Sequence, residues 1–202
     1  ICMTTGRHLV HESIADRYIE RLAATASGLT VGDPSKGQVS LGPIIDERQR
    51  DKIHGFVTQS VDAGAHLEAG GKFEGLFYRP TVLSDVTPGM PAYDNEIFGP
   101  VAPVTRFSTL DEAAALAGRT EYGLSLGILS RDVMKALDLA ERIPSGIVHI
   151  NDQTISDEAV VPFGGVGASG TGSRLGGPEW NIDAFTETQW VTVQGQITPY
   201  QM

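Results

Sequence analysis

Along the whole chain, segments with apolar residues three and four apart alternate with short β-rich runs, and many of the 24 glycines fall between them. A period of 3.6 and a period of 2 cannot occupy one segment, so this alternation leaves few architectures. Helices packed against a sheet, in a single α/β unit, satisfy it. The helical windows are 13–27, with Ile14, Ala15, Tyr18, Ile19, Leu22 and Ala26 on one stripe; 46–63, with Ile53, Phe56, Val57 and Val61; 109–118; 131–143, closed by Pro144; and a short one over 178–185. Thr109 and Glu112 have the spacing of a capping box. Arg7–Glu12, "YRPTVL", "GPVAPVTRF", "LSLGILS" and "GIVHI" read as strands of a sheet buried on at least one side, and Thr186–Gln194 as a last, alternating strand.

Composition narrows the function classes. With 202 residues, 41% of them hydrophobic, the chain can bury a core. Its net charge of -10 is spread along the length, which argues against nucleic acid and anionic membrane as partners. No apolar run approaches the roughly 20 residues of a membrane span. One cysteine cannot form an intrachain disulfide, which fits a reducing cytoplasm. The first residue is Ile1 and a structured segment follows almost at once, so we expect part of a longer chain.

Few residues are candidates for chemistry, and no metal-ligand cluster stands out. A lone cysteine such as Cys2 is more often a small buried apolar residue than a nucleophile. His8 and His11 lie on a strand, His54 and His66 in or near the second helix, and His149 in an apolar strand; each reads more simply as a surface or satisfied core histidine than as a base. In "NEIFGPVAPV" (Asn95–Val104), Glu96 precedes apolar Ile97 and Phe98 where a strand begins, and a carboxylate there suits hydrogen bonds from a ribose diol. "PFGGVGASGTGSRLGG" (Pro162–Gly177) contains a formal G-x-G-x-x-G at Gly165–Gly170. Pro162 spoils the strand before it, no helical pattern opens at Gly170 and no acidic residue follows at the required distance, so the dinucleotide fingerprint is rejected. An irregular loop packed closely against neighbouring backbone is the better reading.

Taken together, these motifs resemble, in order and over essentially the whole chain, the C-terminal catalytic half of an NAD(P)-dependent aldehyde dehydrogenase. "ICMTTGR" is similar to the family's cysteine segment, which makes Cys2 the implied nucleophile and Arg7 its basic companion. "NEIFGPV" resembles the motif that holds the nicotinamide ribose and assigns that role to Glu96 and Phe98. In "GPIIDERQRDKI", Gln49 and Lys52 match further cofactor-contacting positions. Ile1, Met3, Ile155 and Phe163 are the implied substrate-binding residues. Within the family, "VHINDQTISDEAVVPFGG" and "TETQWVTV" are most similar to benzaldehyde, salicylaldehyde and vanillin dehydrogenases.

The resemblance implies a twisted open sheet flanked by helices over 1–185 and a C-terminal oligomerisation strand and tail over 186–202. It also implies NAD or NADP as cofactor, with NAD favoured, a small aldehyde as substrate, and a homo-oligomer, dimer or tetramer, built through the last strand. The Rossmann domain, a glutamate general base and an oxyanion-hole asparagine would lie upstream of Ile1, so the 202 residues alone are expected to be inactive. Three other readings stay open on the residues: a cysteine hydrolase pairing Cys2 with His8 or His11, an acyl-CoA-forming dehydrogenase, and a folded assembly module without turnover.

Overall fold

The computed structural model describes residues 1–196. Its centre is a four-stranded sheet in the order β1 (His8–His11), β6 (Val101–Phe107), β5 (Thr81–Ser84), β2 (His66–Ala69). β6 runs parallel to both β1 and β5, with His8 opposite Val104 and Thr81 opposite Val101, and β2 is antiparallel to β5. Helices cover both faces. On one face α1 (Glu12–Gly28) buries Ala15, Ile19 and Ala26 against Val10, Val82 and Val104. On the other, α2 (Glu47–Asp62) and the four-residue α3 (Pro91–Asp94) bury Ile53, Val57, Ala92 and Tyr93 against Leu83, Val101 and Ile97. Alternation along β5 sends Val82 to the first cluster and Leu83 to the second, which is why all four of its residues are buried.

β3 (Phe73–Glu74) and β4 (Phe77–Tyr78) form a small hairpin. β7 (Ser125–Ile128) and β8 (Ile147–Ile150) form a separate parallel pair. It is crossed by α5 (Val133–Glu141) and packed with α4 (Leu110–Gly118) through Ala113, Ala114, Leu139 and Ile143. α6 (Pro178–Phe185) follows the glycine-rich loop, which contains one turn of 3-10 helix, Gly167–Ser169.

Four expectations are corrected. The single sheet is divided, because β7 and β8 pair with each other while the β1-containing sheet pairs among itself. "YRPTVL" is two strands: Pro80 has no N–H to give, and β4 ends at Tyr78 before β5 starts at Thr81. The strand expected over Thr186–Gln194 does not form within the chain; these residues follow α6 in irregular conformation, with Trp190 90% exposed, and pair with none of the sheets' strands. The remainder of the expected tail, 197–202, lies outside the described residues. The capping box at α4 is shifted: Thr109 accepts from the Glu112 N–H, while the Glu112 carboxylate accepts from Ser108 N–H at 2.8 Å, which holds its carboxyl below the usual range.

Candidate active site

Cys2 sits in a turn closed by Thr4 N–H donating to the Ile1 carbonyl at 3.2 Å, and its thiol-bearing residue is exposed while the next, Met3, is buried. Two anchors hold this segment. Thr5 Oγ1 lies 3.3 Å from Thr154 Oγ1, and the Thr154 carbonyl accepts from Ser125 Oγ at the start of β7. Arg7 donates through Nε to the Tyr93 carbonyl at 3.0 Å and places its guanidinium 4.4 Å from the Tyr93 ring centroid. Tyr93 in turn donates its hydroxyl to the Leu116 carbonyl at 2.7 Å, and burial pushes its phenol upward. Arg7 is therefore held against α3 and, through the Leu116 carbonyl, α4.

Tyr93 is the third residue of the four-residue α3, just before the Glu96–Gly99 loop, so the same contact ties the flanks of the two motifs. Ile97 inserts into the core and Gly99 lies directly on Ile53, where a Cβ would collide with the Ile53 δ-methyl. Between them Phe98 adopts φ +48°, a left-handed conformation that costs a non-glycine residue on the order of 1–2 kcal/mol. Its ring is 56% exposed, so burial of that ring does not offset the strain. Gln49 Nε2 donates to the carbonyls of Ile97 (2.9 Å) and Phe98 (3.2 Å), and two such bonds, each worth about 1 kcal/mol net, do offset it. Glu96 is exposed beside this clamp. Its charge, after that of Glu121 and partial burial, raises the phenol of Tyr122. Lys52 turns aside, with Nζ 5.5 Å from the Phe56 ring.

The glycine-rich loop is laid against the entrances to β7 and β8 by main-chain bonds. The Gly123 carbonyl accepts from both Val166 N–H (2.9 Å) and Gly146 N–H (3.0 Å), and the Glu121 carbonyl from Ala168 N–H (2.8 Å). A Cβ on Gly146 would strike the Gly164 carbonyl, and one on Gly165 would come within 2.6 Å of the Ser169 carbonyl. Phe163 is half-buried and pairs by its backbone with Leu175, while Ile155, next to Thr154, is exposed. The described residues thus tie the segment that follows Cys2 to Thr154 and, through Arg7 and Tyr93, to the helix that precedes the Glu96–Gly99 loop. Tyr93, Tyr122 and Thr154 were not singled out from the sequence, and the position of Tyr93 three residues before Glu96 was the available hint.

His8 and His11 serve α1 instead of the thiol. His8 Nδ1 lies 2.7 Å from the Tyr18 hydroxyl and burial lowers its pKa, while His11 is the N-cap, accepting from the Ser13 N–H. These engagements weigh against a cysteine hydrolase.

The family model described as the aldehyde dehydrogenase family matches residues 1–191. The chain belongs to the aldehyde dehydrogenase family. It is 66% identical over 200 residues to a vanillin dehydrogenase of Amycolatopsis, covering 99% of this chain and 41% of the relative. It is 49% identical to a benzaldehyde dehydrogenase [NAD(+)] of Pseudomonas putida, covering 96% of this chain and 39% of that relative. The crystal structure of a salicylaldehyde dehydrogenase from Pseudomonas putida G7 complexed with salicylaldehyde superposes with a TM-score of 0.91 at 37% identity, over 99% of this chain and 41% of that one. The chain therefore spans about two-fifths of the length of these aldehyde dehydrogenases. Its α/β architecture is theirs. No helix among the described residues is long and apolar enough to cross a membrane.

Proposed function

We propose that the chain is the cysteine-bearing, C-terminal part of an aldehyde dehydrogenase that oxidises an aromatic aldehyde to its acid with NAD, working as a homo-oligomer in the cytoplasm. The observation that carries this reading is the tie between the two motifs: Arg7, five residues after Cys2, is seated on Tyr93, three residues before Glu96. A nucleophile and a loop suited to a ribose diol are thereby held by one framework. The aromatic preference rests on the similarity to vanillin and benzaldehyde dehydrogenases, and the preference for NAD on the second of these.

The residues present fit a nicotinamide cofactor. Glu96 presents an exposed carboxylate, an acceptor for two vicinal hydroxyls, and Phe98 presents an exposed ring on a loop fixed by Gln49 and Ile53. When bound, the cofactor supplies the hydride acceptor. Cys2, as thiolate, attacks the aldehyde carbon to give a thiohemiacetal whose oxyanion the Cys2 N–H can stabilise. The same sulfur then carries the acyl group as a thioester until water releases the acid. Ile1 and Ile155 offer exposed apolar surface to an aromatic ring, with Met3 and Phe163 contributing from less exposed positions. Lys52 is a weaker cofactor contact, since its ammonium lies over Phe56. Residues 186–194, which form no strand in the single chain, add to a sheet of a neighbouring subunit.

In the complete enzyme, Cys2→Ala should lower kcat by at least about 10⁴-fold. Glu96→Gln should slow pre-steady-state NADH formation and leave thioester hydrolysis nearly intact. Unchanged NADH formation in Glu96→Gln would remove the ribose-holding assignment.

A further inference from the structure

We propose that Gln49 is a positioning residue for hydride transfer: its carboxamide holds Phe98 in the left-handed conformation and so fixes the Glu96–Phe98 loop before any cofactor arrives. This rests on the reading of that loop as the ribose-holding element. The orientation of the amide is dictated by its partners. Two carbonyl oxygens, of Ile97 at 2.9 Å and Phe98 at 3.2 Å, face the same side-chain atom, and only Nε2 carries hydrogens to give them. Both hydrogens are thereby used within the chain, and only the acceptor Oε1 is left for a ligand. Gln49 has no donor to offer a cofactor.

The clamp is built from one helix face. Asp46 caps α2 and accepts from the Gln49 N–H at 2.7 Å, which fixes where the side chain starts. One turn on, Ile53, with 0% exposure, lies under Gly99. Residues 49 and 53 share a stripe of the helix and together grip both ends of the strained residue. Ile97 is held by its own burial and Gly99 by contact with Ile53, but Phe98 has an exposed ring and φ +48°, so hydrogen bonds to the carbonyls on either side of its α-carbon are what hold its backbone. Without Gln49 the peptide is free to relax toward the ordinary extended region, and Phe98 and Glu96 would turn with it.

The test compares Gln49→Met, Gln49→Glu and Glu96→Gln in the complete enzyme, by hydrogen exchange of the peptide 95–101 without cofactor, by NAD affinity and by pre-steady-state hydride transfer. In Gln49→Met, loss of two hydrogen bonds should speed exchange of that peptide and slow hydride transfer, each by about tenfold or more, with NAD affinity changed less than the rate. Gln49→Glu keeps the shape but sets a carboxylate against two carbonyls; protonation restores a donor, so its deficit relative to the unsubstituted enzyme should shrink between about pH 8 and about pH 6. This pH profile carries the test by itself if Gln49→Met does not accumulate as folded enzyme. Unchanged exchange in Gln49→Met, together with weakened NAD binding, would show direct contact with cofactor and overturn the proposal. Normal hydride transfer in Glu96→Gln alongside faster exchange in Gln49→Met would instead overturn the ribose reading and leave the clamp.

Discussion

Among the described residues, every buried apolar side chain lies between Met3 and Ile143, whereas from Asn151 onward none is buried. Both regions are ordered by the chain, and by different means. The first has three side-chain clusters around a two-faced sheet and the β7–β8 pair. The second is attached by N–H to carbonyl bonds from Val166 to Gly123 and from Ala168 to Glu121, across close approaches such as Gly146 to Gly164 where a Cβ has no room. Its large apolar residues, Phe185, Trp190 and Val193 among them, face outward. Stability in the first region thus scales with apolar volume removed from water, and in the second with the closeness of two backbones.

That contrast can be broken at chosen positions. The largest effect is expected at Ile53, which serves both the core and the seat of Gly99: Ile53→Ala should cost about 2–5 kcal/mol in urea unfolding of the complete enzyme. A loss under about 1 kcal/mol would mean the cluster closes over the cavity. Next comes Gly146→Ala, which adds a methyl group where the Gly164 carbonyl stands and should cost about 1–3 kcal/mol, while Gly6→Ala, which enters open space, should stay within about 0.5 kcal/mol. Equal effects at the two glycines would refute the seam. The smallest effect on the subunit is expected at Trp190→Ser, within about 0.5 kcal/mol, because that ring is already exposed. The same substitution should dissociate the oligomer in light scattering; an unaffected oligomer would place the interface elsewhere.

The two regions also differed in how far they could be read from sequence. Where burial dominates, periodicity sufficed: Ile19, Ile53 and Val57 are buried where their stripes put them, and α1, α2, α4 and α5 fall on their windows. The short elements escaped because their cues are not periodic. α3 is a four-residue helix opened by Pro91, and β2 has three exposed residues out of four. The glycine-rich loop was legible as a close approach of backbones, but its partners, Gly123 for Val166 and Gly146 for Gly164, lie well outside the loop and leave no local trace. The same distance hid the Gln49 clamp. Its position could be matched to a cofactor contact, yet that its amide would turn to Ile97 and Phe98, 48 and 49 residues on, follows only from the fold. Thr186–Gln194 alternates as a strand does, and alternation records a face to cover without saying which chain covers it.

The backbone seam at Gly123 and Gly146 has a consequence for how such a chain can change over generations. In the side-chain clusters, one methyl group exchanged for another alters stability by degrees, and losses at one position can be made good at a neighbour. The seam offers no such gradation: the bonds from Val166 to Gly123 and from Ala168 to Glu121 run between main chains, and the smallest available replacement for Gly146 already adds the atom that meets the Gly164 carbonyl. Drift in the core is therefore gradual, while drift in the seam is tolerated or fatal at a single step.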